Sequence, residues 1–145
     1  MSKLSLFRVG RTTLPILALQ VVLWFPGTAA AEGLREAMTA MEASLERLTA
    51  AVFRRDLVQV EAAAAALADA PRPDLGYRLW LLGRLGEDAP RFRRYGEALT
   101  AAAEDLARKA RAGQKAQLDP AYREVLDQCL GCHRAFQTHL GEDRQ

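Results

Sequence analysis

"LDPAYREVLDQCLGCHRAFQTHL", residues 118–140, decides how the rest of the chain is read. Tyr122, Leu126, Cys129, His133, Phe136 and Leu140 step by 4, 3, 4, 3, 4, the spacing of one face of a bundle helix. Asp119 suits the N-cap and Pro120 the first helical position. Glu124 adds negative charge near the positive end of the helix dipole. Both cysteines and one of the two histidines of the 145-residue chain lie here. On this register Cys129 and His133 are expected on the inward seam, an unusual place for an imidazole.

Working towards the N-terminus, Phe92, Tyr95, Leu99, Ala102 and Leu106 step by 3, 4, 3, 4, with Asp88 as a cap and Gly113 past the end. Residues 75–87, "LGYRLWLLGRLGE", are punctuated by glycine and read as a long connection with a helical turn around Trp80. "PRPD" (71–74) stops the preceding helix, because proline cannot continue one. That helix runs through Leu57, Val60, Ala64 and Leu67, in the alanine-rich "EAAAAALADA". "FRRD" (53–56) is a turn, and before it Leu34, Met38, Met41, Leu45, Leu48 and Val52 step by 4, 3, 4, 3, 4. No strand-like alternation follows residue 31. Four helices of similar length, two short links and one longer crossing predict an all-α, antiparallel four-helix bundle.

The first 31 residues are of another kind. Lys3, Arg8 and Arg11 precede the apolar run "LPILALQVVLWF" (14–25), and "PGTAAAEG" supplies small residues. This is the pattern of a cleaved secretory signal peptide over residues 1–31, with residues 32–145 as the mature domain. The apolar run is short of the ~20 residues a membrane span needs, so no span is expected after cleavage. The leader holds three bases and no acid, so the chain's 20 Lys+Arg and 18 Asp+Glu become 17 and 18. A near-neutral domain lacks the basic surface of a nucleic-acid binder.

Four chemistries suit two thiols at this spacing. A disulfide between residues i and i+3 of one helix needs distortion and closes almost no loop. A redox pair wants its reactive thiol at a helix N-terminus, whereas Cys129 is about ten residues inside. Zinc needs four converging ligands, and Cys129, Cys132, His133 and His139 share one continuous helix. The fourth is covalent haem attachment: C-x-x-C-H is its signature, with two thioethers from Cys129 and Cys132 and His133 as an axial iron ligand. Cys129 and Cys132 stand one turn apart, and His133 is i+4 from Cys129, so the three can grip one edge and one face of a planar ring. Export is consistent with this, since haem c is attached outside the cytoplasm.

A leader, four helices and C-x-x-C-H near the end of the last one resemble the class II cytochromes c, cytochrome c′ and its low-spin relatives, over residues 34–136. The resemblance implies a bundle enclosing one covalently attached haem c, His133 as proximal ligand, and a helix-one side chain over the opposite haem face. In cytochrome c′ that side chain is apolar and the iron is five-coordinate; in the low-spin relatives it is methionine. The family pattern puts Met38 in that position, with Met41 one turn along. Arg35, three residues before Met38, is a candidate contact for a haem propionate. Phe136 matches the aromatic expected three residues after the histidine. Gln137 departs from the basic residue usual four after it, although Arg134 is near.

The expectation is therefore an exported, periplasmic, mono-haem electron carrier rather than an enzyme, working with redox partner proteins. The alternative is a five-coordinate cytochrome c′ that binds nitric oxide or carbon monoxide at an apolar distal face. The alanine-rich second helix and the exposed face of the first offer a homodimer surface, as in many members.

Overall fold

The computed structural model describes residues 27–141, so residues 1–26, most of the expected leader, lie outside the described residues. Five α-helices account for nearly all of the described chain: α1 (Gly27–Arg54), α2 (Leu57–Ala68), α3 (Leu75–Leu85), α4 (Ala89–Arg111) and α5 (Leu118–Gly141). Two single 3₁₀ turns, Gly86–Asp88 and Lys115–Gln117, lead into α4 and α5. No strand occurs among the described residues.

The long helices α1, α4 and α5, with α2, form the four-helix bundle. Packing runs around a ring, α1 on α2, α2 on α4 and α4 on α5, while α5 and α1 touch only sparingly. Antiparallel directions follow from contacts at one end. Arg55 at the end of α1 holds Asp119 at the start of α5 through two hydrogen bonds of 2.7 and 2.9 Å. Arg111 at the end of α4 reaches Glu61 near the start of α2 at 2.7 Å.

The turn between α1 and α2 is tight. Arg55 takes φ 57°, and the Asp56 carboxylate accepts the Gln59 amide to cap α2. Beyond it lies a core rich in alanine. Ala51, Ala63, Ala64, Ala102, Ala103, Ala107, Ala110 and Ala121 are buried around Leu48, Val60, Leu67, Leu106, Leu118 and Val125. Small side chains let the helix axes approach closely, so backbone and β-carbons supply much of the dispersion contact.

Three expectations change. The helices are not of similar length: α2 has 12 residues, whereas α1 has 28 and α5 has 24. The chain after it is not a long connection but the 11-residue helix α3, which occupies the level that α2 is too short to reach. Asp74 of "PRPD" accepts the Tyr77 amide at 2.9 Å and so starts a helix as well as following one. Asp119 and Asp88 do not cap through their side chains. Asp119 lies inside α5 and binds Arg55 instead, while Asp88 closes the 3₁₀ turn and faces Arg91 at 3.7 Å.

A second apolar cluster fills the end that α3 covers. Tyr77, Leu81, Leu85, Ala89 and Phe136 are buried there, joined by Leu34, Phe92, Tyr95 and Cys132. Phe92 and Tyr95 meet the Phe136 ring edge-on at 5.3 and 6.1 Å between centroids.

Candidate haem-attachment site

The side chains of "QCLGCHRAF" divide around the α5 axis. The buried residues of α5 are Leu118, Ala121, Val125 and Phe136; Phe136 lies on the expected seam, whereas Ala121 and Val125 lie one position before Tyr122 and Leu126. Cys129 is half-buried against the alanine-rich core, and Cys132 against the aromatic cluster. The two thiols thus straddle the junction between the cores. His133, expected on the inward seam, is exposed. Its position is about 100° round the helix from Cys132, which carries it off the core face.

That displacement has a direction. Tyr122 of α5 and Thr49 of α1 share a hydrogen bond of 2.7 Å across the sparsely packed α1–α5 side. Thr49 Oγ1 already donates to the Leu45 carbonyl at 2.7 Å, so the Tyr122 hydroxyl is the donor of the pair. His133 lies eleven residues after Tyr122. Eleven residues make about three full turns, so His133 returns to the flank of α5 that faces α1.

The same count applies to α1. Met38 lies eleven residues before Thr49, on the flank that faces α5. Because the helices are antiparallel, Met38 and His133 both stand about 16 Å from the Thr49–Tyr122 bond, on the same side of it. By this count the two residues lie at one level on the α1–α5 side of the bundle. The register holds further on, since Leu34 of α1 joins the cluster that contains Phe136 of α5. Met41 falls eight residues before Thr49, about 80° round towards the core, and it packs there. Met38 is 37% exposed. The buried face of α1 is Ala37, Ser44, Leu48, Ala51 and Val52, so Met38 is not the core residue its spacing implied. Arg35 is exposed on the outer margin of the groove flank.

Burial pushes both thiols up from their ordinary pKa, and for Cys132 a charge on Cys129 would add to the rise. They are held as neutral thiols, the opposite of an activated redox pair. Among the described residues no group of three or more His, Cys, Asp or Glu side chains converges as a metal cluster. The donor set does fit covalent haem: two free half-buried sulfurs one turn apart, and beside them an exposed imidazole.

Sequence reading missed the residue that seats this turn. A β-carbon on Gly131 would lie 2.8 Å from Cε1 of Tyr95, so glycine between the two cysteines admits the α4 ring against α5. Tyr77 is buried in the aromatic cluster and burial pushes its phenol above the ordinary value, while Trp80 is 40% exposed beside it.

The described fold is that of an all-α four-helix bundle whose last helix carries the haem c attachment motif. A family model described as Cytochrome C' matches residues 85–137, a match over that part of the chain that supports the class II cytochrome c family. The matched stretch holds α4 and most of α5, including Cys129, Cys132 and His133, and leaves Met38 and Arg35 outside it. No curated protein and no solved structure matches the chain. The match supports a c-type haem cytochrome.

Proposed function

We propose that the chain is an exported mono-haem electron carrier, with His133 as the proximal and Met38 as the distal iron ligand. The observation that carries this reading is the shared level of Met38 and His133 across the one loosely packed side of the bundle. Haem c held by these residues would supply a one-electron couple that needs little rearrangement on redox change.

The chain's residues divide the remaining work. Cys129 and Cys132 would hold one edge of the haem through two thioethers one turn apart, setting its orientation as well as its attachment. The exposed imidazole of His133 reaches into the groove because it lies off the core face. The Met38 thioether closes the groove from α1, and Leu34 and Leu45 on either side of it exclude water. Arg35, at the groove's outer margin, is placed to meet a propionate. The Thr49–Tyr122 bond fixes the spacing of α1 and α5 next to the site. A periplasmic location and a redox partner protein accompany this reading, in keeping with the family's usual export.

Optical spectroscopy of the purified oxidised protein tests it. The expected spectrum is low-spin with an iron–sulfur charge-transfer band, lost in Met38→Ala and kept in Met41→Ala. A high-spin spectrum that responds to nitric oxide or carbon monoxide would replace the carrier with a five-coordinate gas-binding protein. A band lost only in Met41→Ala would overturn the register argument.

A further inference from the structure

Helix α3 stands apart from the packing of the other four. Every buried residue of the alanine-rich core belongs to α1, α2, α4 or α5, and α3 supplies none of them. What holds α3 is the second cluster, into which it places Tyr77, Leu81 and Leu85. Its contacts with α1 and α4 are sparse beside those that run α1 to α2, α2 to α4 and α4 to α5. Withdrawal of α3 would strip three side chains from the second cluster and open none of the main core.

The chain at both ends of α3 suits such a movement. Residues 70–74 have no regular structure between α2 and α3. At the other end Gly86 closes the helix at φ 51°, and a β-carbon there would meet nothing within 4 Å. The helix itself is weak: 11 residues, with glycine at 76 and 83. Helices this short are marginal in water without tertiary packing, and glycine lowers their stability further. Undocking and melting of α3 are then a single event, the behaviour of a local unfolding unit.

That unit bears on one of the two thiols. Cys129 packs against the alanine-rich core. Cys132 packs against the second cluster, where α3 supplies three of the five buried residues. The thiols stand one turn apart on α5, yet different parts of the fold govern their burial.

We propose that α3 is a hinged cover, opening as a unit about residues 70–74 and Gly86, and that its opening exposes Cys132 while leaving Cys129 protected. Cys132 becomes accessible through this local opening, whereas Cys129 requires the bundle itself to open. The device thus sets an order of access along the attachment turn. It does not depend on the axial ligands proposed above, because it concerns the thiols before anything is bonded to them.

Pulsed alkylation of the mature chain kept free of haem tests the proposal, with each cysteine quantified by peptide mass spectrometry. Cys132 is expected to react severalfold faster than Cys129. Leu81→Ala removes one of the three anchors and should speed Cys132 at least about tenfold, with Cys129 unchanged. Gly83→Ala works in the opposite direction and carries no steric risk, since a β-carbon at 83 meets nothing within 4 Å. The higher helix propensity of alanine should slow Cys132 about fivefold and leave Cys129 as it was. In the haem-loaded protein, hydrogen exchange should find the α3 amides less protected than those of α4, and better protected in Gly83→Ala. Equal alkylation of both thiols in the parent overturns the proposal, as does an equal rise at both in Leu81→Ala. So do an unchanged Cys132 rate in Gly83→Ala and α3 amides as protected as those of α4.

Discussion

The hydrogen bond between Tyr122 and Thr49 is a measurable link between the fold and the site. It joins α1 to α5 at 2.7 Å on the side where those helices otherwise make few contacts. Tyr122→Phe removes the donor and keeps the ring. Thr49 loses no obligatory partner, because its hydroxyl still donates to the Leu45 carbonyl. The cost is then that of a net hydrogen bond in a half-buried setting, about 0.5–1.5 kcal/mol. Thr49→Val leaves the Tyr122 hydroxyl to find water, with a cost of similar size. In a domain of this length 1 kcal/mol shifts the midpoint by about 4 °C. Urea unfolding of the two single variants and the double variant isolates the pairwise energy. We expect the double variant to lose about 1 kcal/mol less than the sum of the singles. The same loosening should weaken the charge-transfer band that reports Met38 ligation, because α1 is no longer pinned next to the groove. Strict additivity, with the band unchanged, would refute the idea that this bond sets the α1–α5 spacing.

Other consequences are as direct. Alanine at 131 should gain roughly 1 kcal/mol of helix propensity over glycine but meet the Tyr95 ring, so Gly131→Ala is stabilising only in a Tyr95→Ala background; equal effects in both backgrounds would remove the steric role of that glycine. Burial raises the Tyr77 pKa above its ordinary value of 10.0, so the folded protein holds that proton more tightly than the unfolded chain. Stability is therefore unaffected by this group below about pH 10 and falls as pH rises towards the folded pKa, and Tyr77→Phe should flatten that alkaline decline in thermal melts.

Large residues marked part of the inward seam: Leu48, Val52 and Phe136 are buried on it, whereas Ala37, Ser44, Ala121 and Val125 are buried one position before Met38, Leu45, Tyr122 and Leu126. Large side chains alone misplace the rest of the seam because the core closes on alanine. Ala37 and Ala51 turn inward on α1, and Ala121 on α5. This rotates Met38, Tyr122 and His133 to the flanks that border the groove. The rotation moves the candidate ligands out of the packed core and into the one side that packing leaves open. Helix α3 was not legible because Gly76 and Gly83 break the pattern of a helix expected to bury one face and wet the other. Asp74, three residues before the Tyr77 amide it accepts, was the available signal. Cys129, Cys132 and His133 were legible because their chemistry depends on short spacing within one helix, which sequence records directly. The proposed pairing of Met38 with His133 depends on the relative level of two distant helices. It required the Thr49–Tyr122 contact as a reference point.

The account rests most heavily on covalent attachment at Cys129 and Cys132. Intact-protein mass spectrometry combined with thiol alkylation, on mature protein made in a host competent in cytochrome maturation, addresses it directly. The expected result is the polypeptide mass plus one haem, with no alkylatable thiol after denaturation. A bare polypeptide mass with both cysteines open to alkylation would contradict the central claim.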